Sequence, residues 1–336
     1  MGVFGMTTYI IRRGLLTLVS IWMVTVIIFL LLHVIGPFFI SDRSFNPDDW
    51  TESISYFLVP EEQLADPVMV KQTLARAGLD KPILERYGFW LGQLLQGDLG
   101  SSVISERGIW DELKWRLPVS IELGVVAIIV AAFVAVPLGA LTAVKQDTAP
   151  DYIVRGYAIA LSAFPNFWIA TLIVEYASKW WRWAPDIRFE HFWVDPLQHL
   201  SVMWLPVLLI ALAPGSVFVR YMRATMLEVL RQDFIRTARS KGLQEFSVIV
   251  KHAMRNAMIP VITLLGLVVP IVIAGNVIFE RFFTLPGMGK YIVDAVGDFD
   301  IPVIQSMVLV FALIISFTNF LVDLSYAWID PRIKYS

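Results

Sequence analysis

Six long apolar stretches dominate the chain, and polar or charged segments separate them. The stretches cover residues 14–35, 121–144, 157–177, 202–219, 257–279 and 301–322. Because a helix rises about 1.5 Å per residue, about 20 apolar residues cross a hydrocarbon core of roughly 30 Å. The fourth stretch is short for this task and contains Pro206 and Pro214. The pattern predicts an all-α membrane protein with six transmembrane helices.

The first apolar stretch has two interpretations, because Arg12 and Arg13 precede it as basic residues precede the apolar part of a secretory signal peptide. The stretch is long for a signal peptide, and no small-residue cleavage site stands at Gly36 and Pro37. We therefore expect residues 1–36 to form a retained N-terminal transmembrane helix.

Lys and Arg residues near the helix ends indicate the direction of insertion. If both termini are cytoplasmic, the inner segments carry 14 Lys and Arg against 7 acidic residues, and the rest of the chain carries 13 against 22. The opposite topology would place the most basic loop outside. We expect both termini, including a tail of residues 327–336, to be cytoplasmic.

The segment between the first two predicted helices, residues 37–118, is then a long extracytoplasmic loop. Its part from 41 to 62 is polar, and apolar residues recur at helical spacing between 82 and 96. We expect an amphipathic helix there, with Asp80 as its N-cap and Gly97 as its stop. Further apolar residues form a second short stripe, namely Trp110, Leu113 and Leu117. The loop is a cap packed on the bundle, a docking surface for an external partner, or both.

The composition excludes several classes of protein. Hydrophobic residues make up 57% of the chain and charged residues 17%, against roughly 25% charged in soluble domains. A net charge of −2 does not suit a nucleic-acid binder. There is no Cys, and no two of the four His have the spacing of a metal site. We expect no catalytic residues, cofactor or metal in this chain.

Acidic residues near the ends of predicted helices are candidates for a transport pathway. Glu122 lies near the outer end of the second helix and Glu175 near that of the third. Both are close enough to the interface to reach water, so a structural role is a simpler interpretation than contact with a substrate ammonium group.

The loop of residues 220–256 combines charge with helical patterning. Eight Lys and Arg residues lie within it, so it belongs in water or against a partner. Gly242 separates two apolar stripes, one of Phe234, Ile235 and Ala238 and one of Leu243, Phe246, Val250, Ala253 and Ala257. We expect two short helices hinged at Gly242, which would transmit a push from a cytosolic partner. The alternative is an ordinary basic inner loop.

The same loop resembles the coupling loop of ABC-transporter permease subunits, and more narrowly the dipeptide/oligopeptide/nickel importer branch. Residues 232–243 read QDFIRTARSKGL and residues 252–260 read HAMRNAMIP. Arg236 and Thr237 stand where the general signature has Glu and Ala, and Arg255 stands where it has Pro. The form RTARSKG and the later Pro260 are similar to the peptide branch.

The resemblance extends along the chain in several short motifs. They are GDLG at 97–100, RLP at 116–118, PLG at 137–139, FPNFW at 164–168, LPGMG at 285–289, LVD at 321–323 and DPRI at 330–333. Their joint order resembles the B-type subunit, which carries the long first external loop. The resemblance implies a type I ABC importer permease fold with a five-helix core over residues 119–326.

The resemblance also implies roles for particular residues. ATPase coupling would involve the residues Arg236, Thr237, Ala238, Arg239, Lys241, Gly242 and Leu243. Pro286, Gly287 and Gly289 would form a tight turn at an outer gate. Pro165 and Asn166 would join Glu122 and Glu175 as candidate pathway residues.

The resemblance finally implies partners and a location. The chain would be a permease subunit of the plasma membrane (bacterial or archaeal inner membrane), paired with a second homologous permease. Two cytosolic ATPases would hold ATP and Mg²⁺, and an extracytoplasmic solute-binding protein would deliver substrate. Peptide is the favoured substrate, ahead of glutathione, nickel chelates and oligosaccharides.

Two other classes are weaker matches to the sequence. A secondary transporter or channel working alone would show charges at mid-span and internal repeats, and we find almost no such charges and no clear repeat. A membrane enzyme would need a convergent nucleophile, base or metal set. A phosphate-binding loop ending at Tyr291 is excluded because Thr284 replaces its first Gly and Tyr291 its last Ser or Thr.

Overall fold

The computed structural model of the chain is predominantly helical, and it describes residues 3–32, 68, 71–72, 81–274, 276–298 and 300–329. The chain divides into two compact units, which are unit 1 (Met1–Val119 and Pro286–Ser336) and unit 2 (Ser120–Leu285). The predicted polar part of the external loop at 41–62 and the predicted N-cap Asp80 lie outside the described residues.

The helices follow the apolar pattern of the sequence closely, with several changes at their ends. In chain order they are α1 (Val3–Leu30), α2 (Ile83–Leu95), α3 (Ile109–Val144), α4 (Ala149–Ala163), α5 (Asn166–Trp181), α6 (Pro196–Leu230), α7 (Asp233–Ser240), α8 (Glu245–Ser247), a π-helical segment (Val248–Met254), α9 (Arg255–Ala274), α10 (Val277–Phe282), α11 (Met288–Gly297) and α12 (Ile301–Ile329).

In unit 1, α1 packs along α12, and Arg13 forms an ion pair with Asp323 between them. The predicted amphipathic helix is confirmed as α2, and Gly97 ends it with a φ of +79°. Aromatic rings hold α2 against α1, since the ring centroid of Phe29 lies 5.3 Å from that of Tyr87. Tyr87 Oη also lies 2.9 Å from Thr25 Oγ1.

The core of unit 1 joins the start of α3 to α11 and α12. Its buried residues are Ile109, Leu113, Met288, Ala295, Val303, Met307 and Val310. The second short stripe of the external loop is therefore not a separate helix. Its residues belong to the first turns of α3, which begins twelve residues before the predicted start at 121. A charged first turn with Asp111 and Glu112 hides this start from a hydropathy pattern.

Unit 2 is built around α6, which packs against α4, α5 and α9. Small residues allow close contact at the crossing of α3 with α6. A Cβ atom added to Gly139 would lie 2.7 Å from both the Val219 carbonyl oxygen and Met222 Cβ. Helices that cannot gain from the hydrophobic effect in lipid depend on such close packing.

Among the described residues, five helical stretches are long and apolar enough to cross a membrane, and a bent pair makes a sixth candidate span. The bent pair corrects the third predicted helix, which the sequence pattern drew as continuous over 157–177. The structure has α4 and α5 instead, at an angle of 98°. Pro165 lacks an N–H donor and forces Phe164 into an extended conformation (φ −109°, ψ 141°), so the helix cannot continue.

Three more predicted spans differ at their ends. The fourth is longer than predicted, since α6 runs from Pro196 to Leu230 and continues through Pro206 and Pro214. The fifth was predicted to run to residue 279, but α9 ends at Ala274 and the separate helix α10 follows. The sixth begins at Ile301 as predicted and continues to Ile329.

Candidate functional site

The basic loop forms a helical hairpin that we call the coupling segment, residues 233–254. Its first arm is α7, and its second arm is α8 with the π-helical segment. Gly242 lies between the arms with a φ of +75°, a left-handed conformation that favours glycine. The predicted pair of short helices around Gly242 is therefore confirmed. Since α6 continues to Leu230, Arg220 and Arg223 belong to that helix and not to the hairpin.

Buried apolar residues fix the coupling segment to the spanning helices. Ile235 and Ala238 on α7 pack in one cluster with Met226 and Val229 of α6. Val248, Ala253, Ala257 and Val261 complete this cluster from the second arm and α9. The contact is continuous, so a displacement of the hairpin would move α6 and α9 with it.

The apolar stripe predicted for the second arm is wrong in its register. Ala253 and Ala257 are buried, but Phe246 is 76% exposed, and Leu243 and Val250 are also exposed. The π-helical hydrogen bonding joins residues five apart, so Val248 and Ala253 share the buried side. The first arm also differs from its predicted apolar stripe. Ile235 and Ala238 are buried as one face, but Phe234 is exposed.

This register leaves a mixed surface on the hairpin, which we call the coupling surface. Its exposed apolar members are Phe234, Leu243, Phe246 and Val250, and its exposed polar members are Arg236, Thr237, Arg239, Lys241 and Lys251. Exposed apolar side chains beside charged ones are typical of surfaces that contact another protein. Of the predicted coupling residues, only Ala238 is buried, and it serves to anchor the hairpin.

One ion pair closes the hairpin across Gly242. Arg239 Nη2 donates to Glu245 Oε1 at 2.6 Å, and Arg239 Nε donates to Glu245 Oε2 at 3.2 Å. The hydrogen bond with Glu245 raises the pKa of the Arg239 guanidinium above its ordinary value. Arg236 makes a longer contact of 3.5 Å with Asp233, and both side chains are exposed. The Arg239–Glu245 pair thus joins the two arms at the surface, in addition to the buried apolar cluster that they share.

A buried ion pair, which the sequence pattern did not predict, extends the connection from α6 to α4. Arg223 donates from Nε and Nη2 to the two carboxylate oxygens of Asp151, each at 2.7 Å. Asp151 is fully buried and also accepts a hydrogen bond from the Asp147 backbone N–H. The sequence signal was an acidic residue in the short loop that also contains Lys145 and Arg155, but 72 positions separate Asp151 from its partner.

The four candidate pathway residues do not form one group. Pro165 and Asn166 border a cavity of about 390 Å³ between α4, α5, α6 and α10. Glu122 instead contacts His199 Nε2 at 2.8 Å, and His199 Nδ1 lies 2.9 Å from the Glu190 carbonyl oxygen. Glu175 is exposed on α5. The contact with His199 agrees with the structural role expected for Glu122.

The predicted tight turn around Gly287 has its left-handed residue three positions earlier, at Thr284. Thr284 takes the left-handed conformation (φ +55°) after α10, and Leu285 N–H donates to the Glu280 carbonyl at 2.8 Å. Gly287 has an ordinary φ of −96° and precedes α11, while Gly289 is buried within that helix. In the described ranges, no cluster of three or more His, Asp or Glu residues could hold a metal ion.

Comparison with known proteins agrees with this architecture. Residues 135–335 match the family described as binding-protein-dependent transport system inner membrane component. The chain is 34% identical to the dipeptide transport system permease protein of Escherichia coli (strain K12), over 98% of this chain and 99% of that protein. It is also 34% identical to the oligopeptide transport system permease protein of Bacillus subtilis (strain 168), over 98% and 100%. A glutathione transport system permease protein of Escherichia coli (strain CFT073) is 32% identical, again over 98% and 100%.

Proposed function

This chain belongs to the family of binding-protein-dependent transport system inner membrane components, and we propose that the solute it carries is a short peptide. It is a multi-pass permease subunit of an ATP-driven importer, and separate subunits hydrolyse the ATP. The full-length similarity to relatives named for dipeptides and oligopeptides supports a peptide, and the relative named for glutathione, itself a tripeptide, agrees with this class.

The proposed assembly contains more chains than this one. An importer of this family needs an ATPase and a substrate-binding protein. We propose one second, homologous permease, two cytosolic ATPases that hold the ATP and Mg²⁺, and one extracytoplasmic binding protein. Both termini of this chain would lie in the cytoplasm, because that orientation puts the basic coupling segment on the side of the ATPases.

The proposed mechanism starts at the coupling surface. An ATPase would bind the exposed Phe246 and Leu243 and the cations beside them, and its closure on ATP would push the hairpin. Ile235 and Ala238 would pass this push to α6 through their contact with Met226. Arg223 would pass it from α6 to Asp151 on α4. The helices around the cavity would therefore move together.

The other predicted site residues keep more limited roles in this proposal. Pro165 and Asn166 line the cavity and would line the pathway. Pro286, Gly287 and Gly289 would form part of an outer gate. Glu122 would hold His199 in place at the outer end of α3, and Glu175 would face water or a partner.

The observation that carries the proposal is the exposed apolar coupling surface on a hairpin fixed to α6 and α9. The test replaces Phe246 with Glu in the assembled complex of permeases, ATPases and binding protein. A charge at the centre of the interface should reduce both ATPase retention during purification and peptide-stimulated ATP hydrolysis by about tenfold or more.

The matched control is Ala149→Glu, which adds the same charge at the exposed first residue of α4, where a carboxylate suits the helix N-terminus, outside the coupling segment. It should leave both measurements unchanged. Full ATPase retention and full coupled hydrolysis in the Phe246→Glu complex would contradict the proposed coupling role. Uptake by this chain without any ATPase would contradict the proposed function as a whole.

A further inference from the structure

The cavity beside the break in the third span combines apolar walls with a small set of polar groups. Its volume is about 390 Å³, within the range of small-molecule sites. Phe164, Phe167 and Ile278 supply apolar surface. The polar side chains that border it are Ser162, Asn166, Ser216 and Arg220.

The interrupted backbone at Phe164 and Pro165 lies in the wall of the cavity. Lipid cannot satisfy backbone groups that a broken helix leaves without intrahelical hydrogen bonds. Non-helical backbone at membrane depth is tolerated where it is covered by protein or lines a polar cavity. The position of the break at the wall of the cavity fits the second condition.

Arg220 is the one charged residue among those that line the cavity. Arg220 is exposed, and within the described part of the chain its guanidinium group has no hydrogen-bond or ion-pair partner. Arg223, one turn further along the same helix, instead donates from Nε and Nη2 to Asp151. A planar guanidinium with five free N–H donors matches a carboxylate, and an arginine on a spanning helix needs such an anion or water.

Arg220 can only donate hydrogen bonds, whereas the hydroxyl oxygens of Ser162 and Ser216 can accept them. The hydroxyl of Ser162 lies 2.7 Å from that of Ser216. Ser162 Oγ also lies 2.8 Å from the Ala158 carbonyl, and Ser216 Oγ lies 2.7 Å from the Ala213 carbonyl. Each hydroxyl oxygen has two lone pairs, and a hydrogen bond between the two serines uses only one of these four, so the pair can still accept an N–H group.

We propose that this cavity is a transit site for the peptide, in which Arg220 receives the substrate's terminal carboxylate and the Ser162–Ser216 pair accepts a peptide N–H. The inference rests on the proposed function as a peptide importer, and it assigns a charge requirement to the permease itself. A peptide with a free carboxylate satisfies the guanidinium group, and its amide satisfies the serine oxygens. Arg220 is a binding residue of the pathway and has no part in ATP hydrolysis.

The test uses the whole transporter in proteoliposomes, with L-alanyl-L-alanine as the transported probe. Two quantities are measured together, which are ATP hydrolysis stimulated by the loaded binding protein and the number of dipeptides imported per ATP. Loss of a charge-assisted hydrogen bond inside the pathway should lower import per ATP in Arg220→Gln by about tenfold, with stimulated hydrolysis within about twofold of the wild type. Arg220→Lys keeps the charge and should recover part of the import.

The control is Lys145→Gln, which removes an exposed cation at the end of α3 that does not line the cavity. Its import per ATP should match that of the wild type. The proposed transit site is wrong if Arg220→Gln imports as many dipeptides per ATP as the wild type, or if it loses stimulated hydrolysis and import in equal proportion. Absence of ATP-dependent dipeptide import in the wild type would instead overturn the proposed function.

Discussion

Arg223 on α6 and Asp151 on α4 form a bidentate ion pair, with both donor–acceptor distances at 2.7 Å. Asp151 is fully buried, and the Arg223 side chain is 16% exposed. Arg155 lies further away, with its Nε 3.7 Å from Asp151 Oδ1. The pair joins the helix that carries the coupling segment to the first half of the broken span.

We predict that Asp151→Ala lowers the stability of the purified protein by about 3 kcal/mol, because it leaves a largely buried guanidinium group without its partner. Thermal unfolding in detergent measures the loss. The same substitution at Asp111, in an exposed pair with Lys114, should cost less than about 1 kcal/mol. Equal losses of stability in the two variants would show that the buried ion pair contributes no more to stability than the exposed one.

The crossing of α3 and α6 gives a second prediction. In Gly139→Ala the new Cβ would lie 2.7 Å from the Val219 carbonyl oxygen, so one helix must shift, at a cost of about 1–3 kcal/mol. Gly156→Ala on α4 adds a Cβ with no atom within 4 Å. It should be neutral or stabilise the helix by up to about 1 kcal/mol. Unfolding temperatures of the two variants decide the matter, and a destabilised Gly156→Ala with an unaffected Gly139→Ala would refute the packing argument.

The left-handed backbone at Gly242 gives a third prediction. Gly242→Val places a β-branched residue at a φ of +75°, which should cost about 1–2 kcal/mol locally and distort the hairpin. Gly242→Asn adds a side chain that tolerates this conformation. We therefore expect peptide-stimulated ATP hydrolysis in the assembled complex to fall in the Val variant and to remain in the Asn variant. Comparable activity of the two variants would mean that the conformation at this position does not matter for coupling.

The buried phenol of Tyr291 gives a prediction about pH. Burial, followed by the nearby carboxylates of Asp300 and Glu112, raises the pKa of Tyr291 to about 12. Because the folded pKa exceeds the unfolded value of about 10, the contribution to stability is complete below pH 10 and is lost as pH rises towards 12. Tyr291→Phe should therefore lose less stability than the wild type between pH 9 and pH 11.

The same variant should not be destabilised at neutral pH. Within the described residues, Tyr291 Oη is buried without a hydrogen-bond partner, so its removal leaves no acceptor or donor unsatisfied. Unfolding temperatures at pH 7, 9 and 11 measure both effects. A lower stability of Tyr291→Phe at pH 7, or identical alkaline losses in the two proteins, would contradict the assigned environment of the phenol.

The sequence by itself determined the number of candidate spans, the amphipathic helix α2 and the turn at Gly242 between two short helices. These features depend on local chemistry, because apolar runs of sufficient length form helices in lipid and a glycine between two short patterned stretches ends the first of them. The motifs of the coupling segment also identified the family, since the order of short motifs along a chain needs no knowledge of contacts.

The tertiary structure alone decided which residues meet. The π-helical register buried Val248 in place of Phe246, and a 3.6-residue pattern could not show this. The pairing of Asp151 with Arg223, and the placement of Arg220 and Ser216 beside the Pro165 break, depend on how α4, α5 and α6 pack. Hydropathy records how each residue interacts with lipid or water, whereas a buried partner or a cavity wall is a property of two or more helices placed together.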